Sequence, residues 1–75
     1  MNLNEVKDSL ERYEKHKIET GSFLRAVLEN DLFKAMGRAD LESRANLFEI
    51  VQYIYSNLRS DCYGDREAVK KWLEK

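Results

Sequence analysis

Residues Gly21 to Leu58 read GSFLRAVLENDLFKAMGRADLESRANLFEIVQYIYSNL, and this stretch decides the fold. In its first half Leu24, Val27, Leu28, Leu32, Ala35 and Met36 return at intervals that a 3.6-residue turn gathers on one side. In its second half Leu41, Ala45, Leu47, Phe48, Ile50, Val51, Tyr53, Ile54, Tyr55 and Leu58 cover more than one face. The spacing predicts two amphipathic helices, over about 22–36 and 40–58, hinged at Gly37-Arg38-Ala39-Asp40. Gly37 is the expected stop and Asp40 the expected N-cap. A helix apolar over so wide an arc is normally touched on two or three sides, so the second is expected to be the spine of the core. Tyr53 and Tyr55 fall about 160° apart on a helix of 3.6 residues per turn and must serve different surfaces.

Outward from this hairpin, Leu3, Val6, Leu10 and Tyr13 form a narrow stripe on a predicted helix over about 3–17, with Asn2 or Asn4 as its cap. Gly21 is expected to stop that helix in the left-handed region, and Ser22 to cap the next. Beyond Leu58, Arg59 to Asp65 read as a turn. A short last helix over about 65–74 then points Val69, Trp72 and Leu73 inward. All three glycines fall at or near proposed helix ends and proline is absent. These signals agree on an all-α single domain over 1–75, a small bundle of three main helices plus a short C-terminal one.

Composition narrows the function classes. A 75-residue chain buries only about 60% of its unfolded surface, and one core of this size supplies about 3–5 kcal/mol. A single cysteine and a single histidine supply neither an intramolecular disulfide nor a closed zinc site, so self-association is the expected further source of stability. No metal and no cofactor are expected. Thirteen basic against fourteen acidic residues are evenly spread, which argues against a nucleic-acid-binding tail. The longest near-apolar run, Leu47 to Tyr55, is broken by Glu49 and Gln52 and falls short of the ~20 residues that span a bilayer. No secretory signal is recognised and the lone cysteine suits a reducing compartment, so a cytoplasmic location is expected, without a membrane or DNA partner.

Few residues point to chemistry. The Gly37–Asp40 turn resembles a helix-turn-helix in outline, but the helix after it is apolar where base edges demand polar and basic side chains. Arg38 beside the start of the next helix offers donors that suit phosphate, with Asp40 either part of that site or simply a cap. Asn30-Asp31 interrupts an otherwise apolar helix, and Asp31 is expected to face a neighbouring chain or pair with Arg38 or Arg25. Cys62 lacks an activating base and His16 ends the first helix, so neither reads as catalytic. Tyr53, Tyr55, Tyr63 and Trp72 alternate with Arg59, Arg66 and Lys70, a set able to stack a base, although Trp72 and one of the helical tyrosines are expected to close the bundle. Phe23 and Phe33 lie off the centre of the core stripe and are candidates for partner binding.

The run GSFLRAVLENDLFKAMGRAD, continued by LFEIVQYIY, DCYG and AVKKWL, resembles a family of short uncharacterised bacteriophage proteins. The likeness covers about residues 18–73 and falls on Gly21, Phe23, Leu24, Asn30, Leu32, Arg38, Ala39, Asp40, Cys62, Gly64 and Trp72. It implies a protein of an infected bacterial cell that acts by binding rather than catalysis. Asn30 and Arg38 are the positions least explained by folding. The leading expectation is therefore a non-enzymatic counter-defence protein sequestering a host nucleotide-type signal through Arg38, Asn30, Arg25, Asp40 and Tyr53. The alternative is an interaction module docking Phe23 or Phe33 on a host or phage protein.

Overall fold

The structure, a computed structural model, describes residues 1–75 and is entirely helical. Six helices follow one another: α1 (Leu3–His16), α2 (Ser22–Leu28), α3 (Leu32–Arg38), α4 (Leu41–Ala45), α5 (Leu47–Asn57) and α6 (Arg66–Glu74). A 3₁₀ turn, Ser60–Cys62, precedes α6. No helix is long and apolar enough to cross a membrane.

The first helix forms where the sequence places it. Asn2 accepts from the Glu5 amide at 2.9 Å while the Glu5 carboxylate accepts from the Asn2 amide at 3.2 Å, a reciprocal capping box. Its end differs from expectation: Lys17, at φ 57, takes the left-handed position, and Gly21, at φ 114, precedes α2 as the N-cap residue in place of Ser22.

The predicted helix over 22–36 is two helices. Asn30 stands at φ 62, its N–H donating to Val27 O at 3.0 Å, while the Asp31 N–H donates to Ala26 O at 2.9 Å. Those two bonds make a Schellman end for α2, with asparagine in the place glycine usually takes. Asp31 then caps α3 by accepting from the Lys34 amide at 3.1 Å. Asn30-Asp31 is thus an end and a beginning side by side. Asp31 pairs with neither Arg25 nor Arg38, and Gly37 lies inside α3 instead of stopping it.

The predicted helix over 40–58 starts as expected, Asp40 accepting from the Ser43 amide at 2.7 Å, but is interrupted at Asn46, which divides it into α4 and α5. Nor is it a spine touched on several sides. The core is a cluster of eleven buried residues: Val6, Leu10 and Tyr13 from α1, Leu24 and Leu28 from α2, Ile50, Ile54 and Leu58 from α5 and its end, Cys62, and Val69 and Trp72 from α6. Neither α3 nor α4 contributes to it, so the bundle proper is α1, α2, α5 and α6. Leu41, Phe48, Val51 and Tyr55 are exposed.

Two buried bonds tie the ends of the chain together. The Tyr13 hydroxyl donates to Cys62 O at 2.7 Å, and the Trp72 indole N–H donates to Tyr13 O at 3.0 Å. With these made, no buried side-chain polar atom lacks a partner, as a small core requires. Trp72 does close the bundle, and Cys62 is a buried packing residue whose thiol is pushed up to about 11, chiefly by burial.

Candidate functional site

Helix α5 carries two stripes. Ile50 and Ile54 face the core, whereas Phe48, Val51 and Tyr55 lie within about 60° of one another on a neighbouring side, given 3.6 residues per turn. On helix α3 Ala35 is buried, Leu32 and Met36 are exposed within about 100° of it, and Phe33 is exposed about 160° away on the opposite side, given 3.6 residues per turn. Leu32 of α3 and Val51 and Tyr55 of α5 stand in the walls of one depression. Its larger part, about 250 Å³, is lined by Val27, Leu28, Val51, Ile54, Tyr55 and Tyr63 together with Asn30 and Gly64. Its smaller continuation, about 80 Å³, is lined by Asp31, Leu32, Ala35 and Leu47 and shares Val27, Asn30 and Val51 with the first. The result is a continuous apolar groove between the α2–α3 elbow and α5. Gly64 holds its end in place: at φ 123, its N–H donates to Leu28 O at 2.8 Å and pins the Tyr63 loop to α2.

The chemistry of this groove is simple. Asp31 is the one charged residue in its lining, and its carboxylate is engaged as the α3 cap. With no base, nucleophile or cluster of metal-ligating side chains along it, the groove is suited to bury apolar side chains.

The residues expected to form a ligand site are not brought together. Arg25 is clamped between two carboxylates, bonding Glu19 and, at 3.0 Å, Glu29; those bonds raise its already high pKa and leave no free charge to offer. Asp40 caps α4 and also lies 2.9 Å from the Met1 amino group, and its carboxyl is held down at about 2, first by the Ser43 amide and then by that amine. The amine in turn touches Glu42 at 3.1 Å, and the two carboxylates raise its pKa. Tyr53 is half-buried on the opposite side of α5, with Lys7 5.5 Å from its ring centre, in a shallow polar cleft against α1. Arg38 is exposed and takes part in no ion pair, but lines neither cleft. Asn30 reaches the apolar groove, and its left-handed backbone supplies the fold reason its sequence position lacked.

The partner-binding candidates divide. Phe23 is half-buried and packs against the core, whereas Phe33 is 91% exposed. The groove itself is not legible in the spacing, because Val51, Tyr55, Leu32 and Met36 carry the same apolar signal as core residues. The Trp72 ring is not a stacking platform: Lys17, Lys75 and Arg59 lie 3.8, 4.5 and 5.7 Å from its centre, and the ring is 4% exposed.

No family model matches the chain, and neither a curated protein nor a solved structure matches it.

Proposed function

We propose that this chain is a non-enzymatic interaction protein that works by protein–protein contact through the apolar face of α3 and α5. One observation carries the reading: Leu32, Val51 and Tyr55 are exposed in the walls of one apolar groove, and Met36 and Phe48 are exposed on the same two helices. Aromatic side chains present about 150–250 Å² each. With Tyr55 and Phe48 exposed at 79 and 77% and Leu32, Met36 and Val51 added, these residues present roughly 550 Å². The largest apolar patch on an ordinary monomer is about 300–600 Å² and is itself often functional. A nucleotide-holding protein is the weaker reading, since its donors would lie on separate surfaces. The resemblance to short bacteriophage proteins supports a setting in an infected bacterial cell, with the protein acting as an inhibitor or adaptor.

A photoreactive phenylalanine analogue placed at position 32 or 55, with position 12 on the wet side of α1 as control, tests this in cells. Covalent protein adducts are expected from 32 and 55 and not from 12. Equal labelling at all three positions, or none at 32 and 55, overturns the reading.

A further inference from the structure

We infer that the Met1 amino group is a latch: paired with Asp40 and Glu42, it straps the α3–α4 segment to the start of α1, and its charge sets how readily that segment detaches.

Position is the first argument. The Met1 nitrogen lies 2.9 Å from a carboxylate oxygen of Asp40 and 3.1 Å from one of Glu42, so a single ammonium bridges two carboxylates at the start of α4. Thirty-nine positions separate Met1 from Asp40. No other side-chain hydrogen bond or ion pair joins residues 32–45 to a distant part of the chain. The carboxylates of Asp31 and Asp40 accept from the Lys34 and Ser43 amides, each three residues on. The segment gives only Ala35 and Ser43 to the buried interior, so little apolar contact competes with the latch in holding it down.

Preorganisation is the second. An exposed ion pair usually contributes little, because two long side chains must be stilled to form it. Here the cation sits on the main chain with no side-chain stem. It stands one residue ahead of the reciprocal cap between Asn2 and Glu5 that fixes the start of α1. Asp40 is fixed as well, since its other carboxylate oxygen accepts from the Ser43 amide. Both partners are in place before they meet.

The helix dipole is the third. An ammonium just ahead of a helix faces the positive end of its macrodipole, an unfavourable place. Met1 stands there at α1, and the carboxylates of α4 offset the repulsion. Neutralising the amine therefore acts oppositely on two elements: it favours the start of α1 and unfastens α4. Helix α3 lends Leu32 and Ala35 to the groove, so detachment of the segment also takes down that wall; the latch itself holds whatever the groove receives.

The full chain, made by chemical synthesis with a free or an acetylated Met1 nitrogen, tests the latch by hydrogen exchange read amide by amide at neutral pH. Acetylation is expected to speed exchange at residues 32–46 about two- to fivefold, the range that exposed ion pairs support. Amides of α1 are expected to hold or slow, and those of α6 to stay unchanged. In about 1 M salt the difference between the two chains is expected to shrink. Glu42→Gln is expected to speed the same amides in the free chain and to add much less in the acetylated one, where the partner of the lost carboxylate is already neutral. Equal exchange of residues 32–46 in the free and acetylated chains overturns the inference, as does a Glu42→Gln effect of the same size in both. Faster exchange in every helix on acetylation, α1 included, would mark a general loss of stability and overturns it too.

Discussion

Trp72 donates its indole N–H to the main-chain carbonyl of Tyr13 across 59 positions of sequence, and Tyr13 passes its own hydroxyl on to the carbonyl of Cys62. Two aromatic side chains, one from Tyr13 and one ending on its main chain, thus join α1, the 3₁₀ turn and α6. The two bonds are buried, so the groups they satisfy have no access to water.

Tyr13→Phe tests what the hydroxyl bond contributes. The ring is kept, but the Cys62 carbonyl is left buried without its donor, which costs about 1–3 kcal/mol. A domain of this size loses roughly 4–8 °C of Tm per kcal/mol. Urea unfolding followed by Trp72 fluorescence is expected to show a lowered midpoint with an unchanged slope; an unchanged midpoint would show the bond to be dispensable.

Alkaline pH acts on the same junction. Burial raises the Cys62 thiol from its ordinary 9.0 to about 11 and pushes the Tyr13 hydroxyl above its ordinary 10. Both folded pKa values exceed the unfolded ones, so the folded state holds these protons more tightly. That stability is fully present below pH 9 and declines from there, first through Cys62 and then, above 10, through Tyr13. Thermal melts between pH 8 and 11 are expected to show a falling Tm, with the Cys62→Ala variant losing the earlier part of the decline. In the native state the thiol is expected to alkylate far more slowly than in urea.

At the elbow, two substitutions at one position separate backbone from side chain. Asn30 holds a left-handed conformation that costs a β-carbon-bearing residue about 1–2 kcal/mol. Asn30→Gly is expected to retain stability, while Asn30→Val lowers it by at least about 1 kcal/mol in denaturant melts. Equal losses for both would mean that the amide side chain, and not the φ angle, is the requirement.

Most of the fold was legible in the sequence because caps and periodicity are local. Asn2, Asp40 and Asp65 each accept from an amide three residues on, as their positions predict. The two unforeseen breaks share a cause: Asn30 and Asn46 interrupt helices without a glycine or proline, and apolar spacing runs straight across them. Asn30-Asp31 did carry the signal, a left-handed residue followed by a cap. The candidate site was less legible. Periodicity assigns residues to the apolar side of a helix, but whether that side meets the core depends on where the neighbouring helix lies. Val51 and Ile54 read alike in the sequence, yet one is 46% exposed and the other 4%. Arg25 and Asp40 were read as donors and acceptors for a ligand, and each already has partners within the chain.

The absence of α3 and α4 from the eleven-residue core has a kinetic meaning. These helices are held between the hinge at Asn30 and the break at Asn46, with Ala35 and Ser43 as their only buried residues. Opening them exposes little apolar surface, so the middle of the chain is released to solvent at a free energy well below that of global unfolding. A molecule built this way breathes from its centre, while its two sequence ends, tied through Tyr13 and Trp72, are the last to let go.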